Sequence, residues 1–243
     1  MILYNTIQNN FTTLLRAGSF GITDTKLQPM SLYKWRRLQT LASQLGLSGY
    51  IAAGMQLLKD DEMLPQQMLF NCKKEQYDAS HAHIYNIFRQ NRLRNIKDDE
   101  RHSIDTSVET LEFLDITIAN AHDIITHDLN INGVIAFGNF LKTKGDKVDF
   151  VKYEEWIRKL GVDLIVSFLA SLLMELFGFE STEFEFLQQP YNNAITHYNN
   201  ILRARLIGEK HEFRYSSRLN IAMIETISYR LALFIHKIKN IEE

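Results

Sequence analysis

The stretch WRRLQTLASQLGLSGYIAAGMQLL, from Trp35 to Leu58, decides the fold class of this chain. Its apolar side chains recur at steps of three and four on both sides of the Leu45-Gly46-Leu47-Ser48 tetrapeptide. That spacing places them on one face of each of two helices. Gly46 suits the end of the first helix, because glycine tolerates positive φ, and the Ser48 hydroxyl can cap the second. The stretch therefore predicts an antiparallel helical hairpin.

A second stretch, FVKYEEWIRKLGVDLIVSFLASLL from Phe150 to Leu173, repeats this plan. Its Leu160-Gly161-Val162-Asp163 tetrapeptide matches the first one, with Asp163 in place of the serine cap. One explanation of the match is that two short helix connections independently use the same kinds of residue to end one helix and begin the next. The alternative is an internal duplication. In either case the spacing predicts that Trp35 and Trp156 are buried anchors of the two hairpins.

The composition supports helices throughout. The 243 residues include only 3 prolines and 11 glycines, too few for a chain of many short strands and tight turns. A net charge of −2 gives no excess of cations with which to bind nucleic acid in bulk. The single cysteine, Cys72, excludes an intramolecular disulfide and a cysteine-rich zinc site, and we interpret it as a buried thiol on a helix.

The rest of the chain also follows a helical period. Gly18 is expected to end the first helix, and a helix capped by Thr106 or Ser107 runs through Leu111 to Ile125. The charged stretch Arg89 to His102 is interpreted as an exposed linker. The other predicted helices are Ile2–Arg16, Pro65–Asn95, Ile131–Lys142, Gln188–Ile207 and Tyr215–Lys239.

Several motifs resemble those of one family. The octapeptide LLRAGSFG, Leu14 to Gly21, resembles the LLRAG-type start of a bacterial family of uncharacterised nucleotidyltransferases. Leu111–Leu141 and Asp146–Phe179 are similar to helix-pair motifs of the same family. The resemblance implies a helical architecture around a catalytic core that carries an Asp-x-Asp pair. This chain contains no Asp-x-Asp, and the stretch Arg89 to Asp105 is too short to hold such a core.

Two His-Asp doublets suggest another chemistry. All-helical phosphohydrolases of the HD type bind metal through a histidine, a His-Asp doublet and a distant aspartate. His122-Asp123 is the candidate doublet, and His81 or His83 would supply the first histidine. His127 lies about 140° from His122 on a helix, so the doublet that it begins cannot share the metal. The alternative is that His122 packs between helices.

An acidic stripe is a further candidate for metal binding. Glu112, Asp115 and Asp123 share one helix at spacings that favour one face. We interpret the stripe as a solvated face, because leucine and isoleucine side chains occupy the buried side.

Taken together, these patterns predict an all-α multi-helix bundle built from hairpins, with helical blocks at residues 1–97 and 98–243 and no significant sheet. The expected function is that of a non-catalytic binding or scaffold protein related to nucleotidyltransferases, without catalytic residues or cofactor. A protein partner or a second copy is the expected ligand. The alternative is an enzyme, either a degenerate nucleotidyltransferase or an HD-like phosphohydrolase using His122 and Asp123.

The expected location is the cytoplasm. The opening MILYNTIQNNF lacks a basic segment followed by an apolar one, which a signal peptide would need. The most apolar stretch, Leu164 to Phe179, is interrupted by polar residues and is short for a membrane span.

Overall fold

The computed structural model describes residues 2–103, 107–184, 186–187, 190–209 and 215–239, and it confirms the all-α prediction. Within these ranges the chain contains no strand. None of the described helices is long and apolar enough to cross a membrane. The helices are α1 (Ile2–Phe20), α2 (Leu32–Gln44), α3 (Ser48–Leu57), α4 (Ile87–Arg101), α5 (Val108–Thr126), α6 (Ile131–Lys144), α7 (Phe150–Leu160), α8 (Asp163–Phe177), α9 (Ala194–Ile207) and α10 (Tyr215–Lys239).

The helices pack into two compact units. The first unit draws on residues 1–77, 172–179 and 193–211, and the second on 78–171, 180–192 and 212–243. Each unit therefore combines stretches that are distant in sequence, and α8 contributes to both. The division into blocks 1–97 and 98–243 stays a prediction.

In the first unit, α1 and α3 cross at two glycines. A Cβ atom on Gly18 would collide with the Tyr50 carbonyl oxygen, and one on Gly54 would collide with the Leu14 carbonyl oxygen. The prediction that Gly18 ends α1 was wrong, because this glycine lies inside the helix. Its lack of a side chain serves close packing, and the positive φ of 71° that follows α1 belongs to Gly21.

Both hairpin connections have the glycine conformation that the sequence predicts. Gly46 and Gly161 adopt φ values of 67° and 63°, and Trp35 and Trp156 are buried. The predicted serine and aspartate caps of the second helices were wrong. Ser48 is the first residue of α3, which has no side-chain cap, and α8 begins at Asp163 itself.

The stretch between residues 65 and 101 departs most from the prediction. The predicted helix Pro65–Asn95 was wrong, since only a short 3-10 turn at Gln66–Met68 precedes an irregular segment. Cys72 lies in that segment and is exposed, so it is not a buried thiol. The predicted linker at Arg89–His102 coincides with α4 instead. Its buried Leu93, Ile96 and Glu100 recur at helical spacing among the charges.

The remaining differences concern helix ends. The predicted helix from Gln188 begins at Ala194, after Asn193 adopts a positive φ of 67°. Ser107 precedes α5, as expected, but its side chain makes no capping hydrogen bond, and Thr106 lies outside the described residues. The last helix has its predicted bounds, with a kink at Ala222 where the backbone leaves the helical region.

Candidate functional site

The second unit brings together a histidine cluster, defined here as His81, His83, His122 and Asp123. The last two residues lie on α5, and the first two lie in the irregular segment that precedes α4. His81 Nε2 lies 3.1 Å from Asp123 Oδ1. The ring centroids of His81 and His83 lie 5.6 and 6.3 Å from that of His122. The structure thus places both proposed first histidines beside the predicted doublet.

The side chains of the histidine cluster interact with one another and with a neighbouring asparagine. Among the described residues, no three histidine, cysteine, aspartate or glutamate side chains are placed to hold a metal ion together. Asp123 is already engaged through both oxygens, because Asn130 Nδ2 donates to Oδ2 at 3.1 Å. His127 lies at the end of α5, where its Nδ1 is 2.6 Å from the Thr126 hydroxyl.

The environment of His122 lowers the pKa of its imidazole ring. Its ring stacks on Tyr85 with centroids 5.6 Å apart, and its Nδ1 atom is buried without a hydrogen-bond partner. Burial lowers the pKa of His122, and a charge on His81 lowers it further, against an opposing effect of Asp123. A lowered pKa favours the neutral imidazole, which is suited to packing against an aromatic ring.

The acidic stripe is divided among separate ion pairs. Lys144 Nζ lies 2.5 Å from Glu112 Oε2, and Lys97 Nζ lies 2.5 Å from Asp115 Oδ1. Asp123 faces His81 instead. Each carboxylate therefore has a side-chain partner of its own, which leaves the stripe without a shared point of convergence.

Glu225 of α10 is a buried residue that anchors the helix and that the sequence reasoning missed. Its side chain is 2% exposed, and its Oε2 atom accepts hydrogen bonds from the backbone nitrogens of Tyr85 and Asn86 at 2.9 and 3.1 Å. Arg89 Nη1 lies 3.4 Å from Oε1. The carboxylate thus binds the N-terminus of α4, where free N–H groups favour an anion. The available signal was that Glu225 is the only acidic residue between Tyr215 and Lys239.

The side of α10 opposite Glu225 is apolar and exposed. Its buried inner face contains Ala222, Glu225 and Thr226. At 100° per residue, six of the seven large apolar residues that are exposed between Met223 and Ile235 fall within a sector of about 120° opposite Glu225 and Thr226, and the seventh, Leu233, lies outside it on the inner side. We call this sector the outer face of α10, and its members are between 43% and 61% exposed: Met223, Ile224, Ile227, Leu231, Phe234 and Ile235.

The charges around the outer face have one sign. Arg230 and Lys237 are exposed along one edge of it. Glu225 is the only carboxylate between Met223 and Lys237, and it is buried on the inner face. The exposed side of this helix therefore combines an apolar stripe with cations.

Comparison with known proteins adds no relative: no family model, no curated protein and no solved structure matches this chain.

Proposed function

We propose that this chain is a non-catalytic helical binding protein and that the outer face of α10 is the surface that receives a protein partner. The exposed apolar stripe is the observation that carries the proposal. Burying one large apolar side chain contributes about 1.5–3 kcal/mol, so six of them on one stripe offer substantial binding energy. Contiguous apolar patches on a folded protein mark interaction sites.

The inner face of α10 explains why the outer face can remain exposed without loss of the fold. Glu225 attaches the helix to the start of α4, and the ring centroids of Tyr229 and Tyr85 lie 4.8 Å apart. Neither contact involves the outer face. The apolar residues of the outer face therefore do not attach α10 to the rest of the unit, and we explain their presence by binding to a partner.

The resemblance to nucleotidyltransferases is part of the same proposal. The chain would keep the helical flanks of such a protein and use them for binding, since the sequence offers no Asp-x-Asp pair for the metal-bound nucleotide. The separate ion pairs of Glu112 and Asp115 favour this interpretation over a metal site built from the α5 carboxylates.

The proposal is tested by isolating the complex from the native source and rebuilding it from purified components. Size-exclusion chromatography with light scattering measures the mass of the rebuilt complex. We expect Ile227→Ser combined with Leu231→Ser to weaken the complex at least tenfold. Leu57→Ser is the matched control, because Leu57 is a comparably exposed leucine at the end of α3. Equal complex formation by both variants would contradict the proposal.

An enzyme remains the alternative function, and one observation favours it: His81 and His83 lie beside the His122-Asp123 doublet. Elemental analysis of protein purified without chelators decides between the two. One metal ion per chain, lost in His122→Ala and Asp123→Ala variants that still fold, would support the HD-like phosphohydrolase. Calorimetry with magnesium-ATP and magnesium-GTP tests the nucleotidyltransferase in the same preparations.

A further inference from the structure

We propose that a cavity between α2 and the end of α9 binds the phosphate group of a small molecule. The cavity lies within the first unit, whereas α10 belongs to the second, so this site goes beyond the proposed function. Three features point to it: the charges of the two helices, an arginine side chain without a hydrogen-bond partner, and the size and lining of the cavity.

The two helices that enclose the cavity carry cations and no carboxylate. The sequence of α2 contains one lysine and two arginines, and that of α9 contains two arginines. None of these five side chains forms an ion pair with a described residue. The whole chain has a net charge of −2, so the excess of positive charge is local. A concave surface lined by charges of one sign raises the local concentration of counter-ions.

Arg37 of α2 is held at the cavity by the end of α9. Its Nη2 atom donates a hydrogen bond to the Leu206 carbonyl oxygen, in the last turn of that helix. This contact places a cation at the negative end of the helix dipole. Its Nη1 atom donates to the Tyr33 hydroxyl at 3.4 Å. A guanidinium has five N–H donors, so Arg37 keeps further donors for a ligand.

Arg205 lines the same cavity from the last turn of α9. Its side chain is partly buried, and its Nε atom is buried without a hydrogen-bond partner among the described residues. Buried donors in folded proteins are almost always paired with an acceptor. Phosphate oxygens are the acceptors that the planar guanidinium binds best, through two parallel hydrogen bonds. A bound phosphate would therefore supply the acceptor that the protein itself does not provide.

The size and lining of the cavity favour a small phosphorylated molecule. Its volume is about 300 Å³, at the lower end of the range for small-molecule sites. A phosphate monoester carries a charge of about −1.5 to −2 at neutral pH, which suits two guanidinium groups better than the single charge of a carboxylate. Leu41 and Ile207 offer apolar contacts to the organic part of the ligand, and the Gln44 amide offers a further donor.

A nucleic-acid strand is a poorer fit to this cavity. Sites for single strands combine cations with aromatic rings on which the bases stack. The described lining of the cavity contains two arginines but no aromatic side chain. The cavity thus offers recognition of a phosphate without recognition of a base.

The probe is inorganic phosphate, and acetate at the same ionic strength is the comparison. Heteronuclear NMR of the full chain follows the Nε–H resonances of the arginine side chains during each titration. The loss of one resonance in Arg205→Gln assigns the signal of Arg205. We expect phosphate to shift this signal in a saturable manner, with an affinity at least tenfold higher than that of acetate.

Matched variants separate the cavity from the general charge of the helix. Arg205→Gln should weaken phosphate binding at least tenfold, and Arg205→Lys should give an intermediate affinity because it keeps the charge without the planar donors. Arg203→Gln removes the same charge from an exposed position of α9 outside the cavity. It should change the affinity by less than about threefold, since exposed charges are screened by salt. Circular dichroism and urea unfolding establish that each variant is folded.

Every other outcome would overturn the phosphate site. Absence of a saturable shift at millimolar phosphate, or equal affinity for acetate, would exclude a site that prefers phosphate. Equal losses in Arg203→Gln and Arg205→Gln would show a diffuse positive potential instead of a cavity. Binding of a single-stranded oligonucleotide that phosphate does not displace would identify nucleic acid as the ligand. Leu231→Ser should bind phosphate as the wild type does, so this site and the proposed function can fail independently.

Discussion

Glu225 Oε2 lies 3.1 Å from the backbone nitrogen of Asn86, the residue that caps α4. The same oxygen accepts a second hydrogen bond from the Tyr85 nitrogen. One buried carboxylate therefore joins the last helix to the beginning of α4. This contact fixes which side of α10 packs inward, and so which side leaves its apolar residues exposed.

The first prediction concerns this carboxylate. Glu225→Ala should lower the free energy of unfolding by about 3–5 kcal/mol, because it leaves two backbone donors without an acceptor and removes the carboxylate that pairs with Arg89. Glu225→Gln should cost less, since its amide oxygen still accepts from the backbone. Urea unfolding measures both. A loss below 1 kcal/mol in the alanine variant would mean that Glu225 does not anchor α10.

The second prediction concerns the crossing of α1 and α3. Gly18→Ala and Gly54→Ala should each destabilise the protein by more than about 2 kcal/mol, because the new Cβ atom meets backbone rather than a movable side chain. Gly145→Ala is the matched control. That glycine has helical φ and ψ values of −58° and −34° with open space around it, so alanine should stabilise by about 0.4–1 kcal/mol. Thermal unfolding of the three variants checks the contrast. Equal effects at all three positions would refute the close crossing.

The fold class was predictable because the helical period extends over most of the chain. Residues whose role is largely local, such as Gly46 and Gly161, were assigned correctly from the sequence. Gly18 was misassigned because its reason for being glycine lies on another helix. The helix α4 was missed for the same reason, because its three buried residues are covered by elements that are distant in the sequence.

The candidate site was predictable only in part. The sequence singled out His122 and Asp123 and named His81 and His83 as possible partners, and the structure brings the four together. Glu225 was missed because its partners are backbone nitrogens, which no residue pattern reveals. The outer face of α10 was missed because apolar residues at helical spacing are as typical of a core as of a binding surface.

The third prediction concerns pH. The pKa of His122 is lower in the folded protein than in the unfolded chain, so the unfolded state binds more protons between the folded pKa and about pH 6.5. The contribution of His122 to stability is therefore complete above about pH 6.5 and is lost as the pH falls towards its folded pKa. The titratable groups that surround the His122 ring are His81, His83, Asp123 and Tyr85. A substitution of His122 alone leaves all four of them in place.

Urea unfolding at several pH values between 8 and 5 measures this dependence. His122→Phe keeps an aromatic ring against Tyr85 and removes the titration, so it should lose less stability than the wild type over that range. Parallel pH curves for His122→Phe and the wild type would contradict the assignment.

The fourth prediction separates the outer face of α10 from the core. Leu231→Gln should change the free energy of unfolding by no more than about 0.5 kcal/mol, because Leu231 is exposed and glutamine is a good helix former. Leu114→Ala, at a fully buried position of α5, should cost about 2–5 kcal/mol. Urea unfolding provides both values. A comparable loss for the two variants would show that folding itself requires the outer face.

The central claim is that a protein partner covers the outer face of α10, and site-specific photo-crosslinking in the native cell tests it most directly. A photoreactive phenylalanine analogue is placed at Leu231 in one sample and at the comparably exposed Leu57 in another. We expect the Leu231 probe to form one adduct of defined mass, whose partner binds the purified chain through α10, and the Leu57 probe to form none. Absence of an adduct at Leu231, or the same set of adducts from both positions, would contradict the claim.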